Sequence, residues 1–285
     1  MEPRNSNQSN TISIGKGSIT MVGAVMILSG LVVLLDRRLQ TGWLSSLVVP
    51  VIGLSWILAG MRARQMRLLI PGSLVTGAGL GVFFSFGVPL QFDWLGRVGI
   101  LLFSFGIGWF AIALLTYLLY RHITWWAVLT GSVIGAVGLA FLNGPLSVIL
   151  FAFFIGTGLG LAFLAWGVAE HLFGLIIPGC LLISIGPGLY LAWSESSEPN
   201  SLARTGIMLV SFALGWGLIT VFSRVITSKF VWWPLIPGGI LAMVGWGLYI
   251  GGNPDNALSF IGNTGSIGLI FFGIYLLLLR RGIHN

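Results

Sequence analysis

Charged residues are so sparse along this chain that the gaps between them outline its elements. Charge-free windows run 17–35, 39–61, 68–92, 98–120, 122–169, 171–194, 205–223, 230–254 and 256–279. Eight of them are 19–25 residues long, and about 20 apolar residues carry a helix across the hydrocarbon core of a bilayer. The window 122–169 is twice as long and is interrupted at Asn143-Gly144-Pro145, a turn-forming sequence, so it holds two spans. Barrel strands would alternate apolar and polar positions. These windows are apolar all round, as membrane helices must be when no water can satisfy the backbone. The fold class is therefore all-α integral membrane, with ten predicted transmembrane helices. They are placed at about 18–35, 43–60, 68–86 and 98–120, a pair filling 125–167, then 172–193, 205–225, 230–252 and a last helix ending at Arg280-Arg281. They pair into five tandem hairpins, 18–60, 68–120, 125–167, 172–225 and 231–281, which form one polytopic membrane domain, 18–281. Residues 1–17 are polar and poor in aromatics, which predicts a flexible tail.

A second pattern lies inside the apolar windows. Pro237-Gly238 is followed by Gly245, Pro178-Gly179 by Gly186, and Pro71-Gly72 by Gly79. Weaker copies without the proline place Gly131 before Gly138 and Gly23 before Gly30. Each pair is seven residues apart, two helical turns on one face. The pairs begin at intervals of 49, 59, 48 and 59 residues, so short and long hairpins alternate. The larger unit is about 107 residues and four helices. The even helices agree, since GILLFSFGIGW from Gly99 and GIMLVSFALGW from Gly206 stand 107 apart. Units with an even number of helices all sit the same way up in the membrane, unlike the inverted repeats of many secondary transporters. Small residues on one face let membrane helices approach closely. The expected helix-packing set is Gly23, Gly30, Pro71, Gly72, Gly79, Gly131, Gly138, Pro178, Gly179, Gly186, Pro237, Gly238 and Gly245. The prolines are expected in the first turns of their helices, where a missing N–H costs little, and Pro187 is expected to kink the seventh helix.

Composition adds orientation. The chain is 56% hydrophobic and 7% charged, with a net charge of +7; soluble domains carry about 25% charged residues. Ten basic residues lie in the tail or after even-numbered helices: Arg4, Lys16, Arg62, Arg64, Arg67, Arg121, Arg224, Lys229, Arg280 and Arg281. Four lie on the other side: Arg37, Arg38, Arg97 and Arg204. The positive-inside rule then places both termini in the cytoplasm, and the basic balance is explained by topology rather than by nucleic acid, which is not an expected partner. The first apolar stretch runs into Asp36-Arg37-Arg38 without a small-residue cleavage site and is read as a retained helix.

Candidate chemistry is thin. The single cysteine, Cys180, falls within a span, so neither a disulfide framework nor a cysteine metal cluster is possible. His122, His171 and His284 lie at predicted helix ends, where they complement the helix dipole or face water, and no metal ligation is expected. No ionisable residue falls at a predicted midplane, the usual mark of a coupled carrier; Glu170 is expected to be solvated at the end of the sixth helix. Gly156-Thr157-Gly158 imitates part of a dinucleotide-binding loop, but no strand precedes it. Neither a catalytic residue nor a cofactor is expected. Trp43, Trp94, Trp125, Trp126, Trp193, Trp232 and Trp233 fall at span ends, as interfacial tryptophans do, and the outer loop 88–97 is expected to lie flat with Trp94 as its anchor. Trp109 and Trp216 are mid-helix, four or five residues after Ser104 and Ser211. A buried indole there calls for a hydrogen-bond partner and an interhelix contact.

The first hairpin, with Leu34-Leu35-Asp36, a short loop, Pro50 and Gly53, resembles the LiaI/LiaF-like transmembrane region of prokaryotic envelope proteins. Trp233-Pro234-Leu235-Ile236 with Gly245 is similar to that family's tryptophan-proline helix start, and the other hairpins follow more loosely. The resemblance implies a multi-hairpin protein of a prokaryotic cytoplasmic membrane and a role in envelope-stress signalling. From the residues themselves the expectation is a non-enzymatic accessory or structural subunit whose partners are membrane lipids and other membrane proteins. A carrier or flippase for an apolar or lipid substrate, and an apolar-cofactor-binding subunit of an energy-converting complex, are the alternatives. A lipid-accessible groove at Gly186 and Gly245 would favour transport, and close helix packing there would favour the structural role.

Overall fold

In the computed structural model the described residues are 16–88, 92–144, 147–193, 201–227, 231–251 and five isolated positions between 259 and 266. Among them there is no strand, and nine helices follow in order. These are α1 (Lys16–Leu39), α2 (Val48–Ala63), α3 (Met66–Val82), α4 (Trp94–Tyr120), α5 (Trp125–Leu142), α6 (Val148–Ala169), α7 (Phe173–Trp193), α8 (Ser201–Thr227) and α9 (Leu235–Gly251). A 3-10 turn, Ser45–Leu47, leads into α2, and a π-helical turn, Phe83–Gly87, ends α3. Among the described residues seven segments, from Ser45–Ala63 to Ser201–Thr227, are long and apolar enough to cross a membrane. The protein is thus a multi-helix apolar bundle with the character of a multi-pass membrane protein. Residues 1–15 of the predicted tail and nearly all of the predicted tenth helix lie outside the described residues, and Lys16 and Gly17 belong to α1 rather than to the tail.

The helices form a row in which each packs on its neighbours in sequence, and α6 also touches α8. Packing is most extensive between α2 and α3, α4 and α5, α6 and α7, and α8 and α9, so the closest pairs cross the boundaries of the predicted hairpins. The links explain part of this. Arg64 and His171 take left-handed conformations, φ 49° and 55°, just past α2 and α6. There the Gln65 N–H donates to the Gly60 carbonyl at 3.0 Å and the Leu172 N–H to the Gly167 carbonyl at 2.8 Å. This closure satisfies carbonyls at the helix end and reverses the chain within two or three residues.

Large side chains point outward and small ones inward. Leu114, Leu118, Leu161, Leu191, Leu214 and Val221 are exposed, whereas the buried positions of α5 are all glycine, alanine or serine. That inversion suits lipid, which solvates leucine as well as a protein core does and leaves helix association to close packing. Two clusters add larger groups to the interior. One joins Ile112 and Ala113 of α4 to Ala127 of α5, and the other joins Ile176 and Cys180 of α7 to Ile219 of α8.

Two local expectations are corrected. Helix α4 begins at Trp94 because Asp93 caps it, its carboxylate accepting the Gly96 N–H at 2.8 Å. Trp94 and Arg97 therefore belong to the first turn of α4 rather than to a flat loop, although Trp94 is 73% exposed. Pro71 and Pro178 are not first-turn prolines, since α3 and α7 start at Met66 and Phe173 and place each proline sixth. Each removes one intrahelical hydrogen bond, a loss that membrane helices tolerate when neighbours re-satisfy the backbone. Pro237 is third in α9, within its first turn.

Candidate functional site: the glycine-lined helix contacts

A helix surface made of glycine has no side chain to hold a neighbour away, and at several glycines an added Cβ would meet atoms of another helix. Between α2 and α3, a Cβ on Gly72 would stand 2.9 Å from the Ile57 amide and 3.1 Å from the Gly53 carbonyl oxygen; one on Gly79 would stand 2.6 Å from Pro50 Cδ. Between α4 and α5, Gly138 faces Gly99, and a Cβ there would be 2.8 Å from the Gly99 oxygen; Gly131 faces Gly106 and Trp109. Between α6 and α7, Gly179 faces Gly160 and Leu164, while a Cβ on Gly186 would stand 3.0 Å from the Phe153 oxygen and the Thr157 hydroxyl. Between α8 and α9, one on Gly245 would stand 2.8 Å from the Gly206 oxygen, and one on Gly238 would stand 3.0 Å from Trp216 Cβ. Ordinary contact begins at 3.4 Å. Gly23 and Gly30 differ, because nothing lies within 4 Å of a Cβ at either. The α1 helix packs only lightly on α2 and exposes Met26, Ile27, Leu28 and Leu31.

The partners of these glycines are not in the predicted set, which took the glycine pairs of the odd helices and read the even ones only for their 107-residue repeat. Gly53 and Gly60, Gly99 and Gly106, and Gly160 and Gly167 keep the same seven-residue spacing in the even helices and would have revealed them. A second set of contacts joins the other faces. Gly77 and Gly108 meet between α3 and α4; Gly188 meets Ser211 and Gly215 meets Ser184 between α7 and α8. The Ser211 hydroxyl also donates across that seam to the Ser184 carbonyl at 2.7 Å.

Equivalent positions recur along the chain. The buried residues of α3 are Leu69, Gly72, Ser73, Gly77, Gly79 and Gly81. Moving each by 107 positions gives Ile176, Gly179, Cys180, Ser184, Gly186 and Gly188, all buried in α7. The same step takes Arg64 to His171, the two left-handed link residues. It also takes Trp109 and Trp126, in edge-to-face contact with centroids 5.4 Å apart, to Trp216 and Trp233, in edge-to-face contact at 5.8 Å.

Those tryptophans correct another expectation. The indole nitrogens of Trp109 and Trp216 are buried without a hydrogen-bond partner, and Ser104 and Ser211 do not supply one. The contact is aromatic, with Phe105 and Phe212 adding a second edge to each ring. An edge-to-face arrangement sets the positive rim of one ring against the negative face of another.

Among the described residues the charged groups sit at or near the ends of the helices. Asp36, only 6% exposed, accepts the Thr41 hydroxyl at 2.5 Å and the Ser45 N–H at 3.1 Å. The Thr41 and Ser45 hydrogen bonds outweigh burial and hold its carboxyl down to about 2. Asp36 thereby pins the link between α1 and α2. Glu170 is exposed, as expected, yet it accepts the Trp125 indole N–H at 3.0 Å, and Trp125 stacks on Trp166. His122 and His171 are both exposed, and His284 lies outside the described residues. Among the described residues no group of three His, Cys, Asp or Glu side chains is placed to hold a metal ion. No family model matches the chain, and neither a curated protein nor a solved structure matches it significantly.

Proposed function

We propose that the protein is a non-enzymatic, multi-pass scaffold of a prokaryotic cytoplasmic membrane. It acts by contact, as an accessory subunit of a membrane complex or, in line with its LiaI/LiaF-like resemblance, as an envelope-stress regulator. Its architecture on this reading is a tandem duplication of a four-helix unit, with ten spans and both termini in the cytoplasm. The duplication is supported by buried positions, link conformations and tryptophan pairs that coincide 107 residues apart. The orientation is supported by the ten-to-four partition of basic residues.

The observation that carries the scaffold reading is the packing at Gly186 and Gly245. Backbone and side-chain atoms within about 3 Å of a Cβ fill the places where a lipid carrier would need an open groove. A surface of exposed leucine, valine and tryptophan outside those seams is available to lipids and to other membrane helices. The test is purification in a mild detergent followed by native mass spectrometry. A stoichiometric protein partner is expected. A monomer carrying only lipid or pigment would overturn the scaffold reading and return the weight to a carrier or a cofactor-binding subunit.

A further inference from the structure

Two arginines at equivalent places meet no neutralising group among the described residues. Arg97 and Arg204 are each the fourth residue of their helix, α4 and α8, and stand 107 positions apart. Both are half-buried, and in both the Nε is out of contact with solvent and has no hydrogen-bond partner. Neither forms an ion pair among the described residues. The carboxylate nearest Arg97 in sequence, Asp93, is engaged in capping α4 through the Gly96 N–H. The Arg97 guanidinium instead lies over the Phe86 ring, 5.5 Å from its centroid. Their surroundings differ from those of Arg37 and Arg38, which are exposed at the end of α1.

A guanidinium cannot shed its proton to escape burial. A half-buried charge with an unpaired donor is costly unless an anion completes it. Its planar fork matches the oxygens of a phosphate, which it can hold through two parallel hydrogen bonds. We propose that Arg97 and Arg204 are a pair of phosphate sites, one at the head of α4 and one at the head of α8, taking the phosphate of an anionic lipid headgroup or a free phosphate ion. The inference rests on the topology proposed above, in which α4 and α8 enter the membrane from the same side, so both sites face one leaflet. Filled by lipid, they would tie two equivalent points of the scaffold to the headgroup layer.

The experiment is native mass spectrometry of the full chain with dioleoylphosphatidylglycerol, with dioleoylphosphatidylcholine as the zwitterionic comparison and inorganic phosphate as the competitor. The wild type is expected to retain two phosphatidylglycerol molecules in preference to phosphatidylcholine. Arg97→Gln and Arg204→Gln should each lose one, with affinity at the altered site falling about fivefold, and the double variant should lose both. Arg38→Gln should leave both in place. Lysine at the two positions should hold lipid less well than arginine, because it keeps the charge without the fork. Displacement of lipid by inorganic phosphate assigns the sites to a free anion, and retention assigns them to the headgroup. Unchanged lipid retention in the double variant, or equal loss in Arg38→Gln, would overturn the proposal. Cysteine labelling that put Trp94 and Ser201 on opposite sides of the membrane would sink the topology while leaving the adduct counts of each variant intact.

Discussion

Alanine at Gly138 and alanine at Gly135 are the same chemical change on the same helix, and they should act in opposite directions. Both glycines are buried in α5. A Cβ on Gly138 would stand 2.8 Å from the Gly99 oxygen and from Phe103 Cα, and closer still to the Phe103 amide nitrogen. Every obstacle is α4 backbone, so no rotamer change can make room, and α4 must move away by about 1 Å to restore ordinary contact with the nearest of them. A gap of that size forfeits roughly half of the dispersion along the seam, and forced insertion of a methyl group into a close-packed interface costs about 1–3 kcal/mol. Alanine returns about 0.5–1 kcal/mol through its higher helix propensity. The net expectation for Gly138→Ala is a loss of about 1–2 kcal/mol. At Gly135 nothing lies within 4 Å of the added Cβ, so only the propensity gain remains and the variant should be neutral or more stable by up to about 1 kcal/mol. Reversible unfolding by SDS in mixed micelles, followed by circular dichroism, measures both. Equal effects of the two substitutions, or an unchanged Gly138→Ala, would refute the argument that glycine contacts hold α4 to α5.

Other expectations follow from the same geometry. Gly245→Ala, facing the Gly206 oxygen at 2.8 Å, should destabilise by an amount similar to Gly138→Ala in the same assay; a null effect would argue against equivalent seams in the two units. Ser211→Ala removes the hydrogen bond to the Ser184 carbonyl and should cost about 0.6 kcal/mol by SDS titration, the average for interhelical bonds in a membrane protein. Asp36 has its carboxyl held at about 2, below its ordinary 3.8. Its contribution is therefore complete above about pH 4 and lost as pH falls through about 2. Protection of the Ser45 amide, measured against its intrinsic exchange rate, should hold from about pH 7 to 4 and fall below about 3, and Asp36→Asn should abolish that fall. Cys180 is 0% exposed in α7, so a maleimide should leave it unlabelled in the folded protein and label it after SDS unfolding.

How much of this was legible beforehand varies from feature to feature. Charge-free windows located α2 through α9 because a span leaves its mark locally, in one run of residues that cannot pay for water. The seven-residue glycine spacing likewise marked one face of each helix, since a helix fixes which residues share a face before it meets any neighbour. Helix starts were less readable. Asp93 moved the beginning of α4 to Trp94, and the short links moved α3 and α7 far enough forward to carry Pro71 and Pro178 beyond the first turn. Both effects depend on how the chain closes around a cap or a left-handed residue, which hydropathy does not encode.

The sequence by itself determined an apolar helical chain with glycine faces, a basic bias to its links and a 107-residue rhythm. Only the tertiary structure decided which faces were occupied. Gly72, Gly138, Gly179 and Gly245 each meet a partner backbone, whereas Gly23 and Gly30 meet nothing within 4 Å, although the spacing is the same in all five helices. It also decided that Trp109 and Trp216 settle against aromatic rings rather than hydroxyls, and that Arg97 and Arg204 bring a buried, unpartnered Nε to the heads of α4 and α8. The reason is physical. A face is a property of one helix, but contact distance and pairing belong to two, and in lipid they follow from how closely two backbones fit.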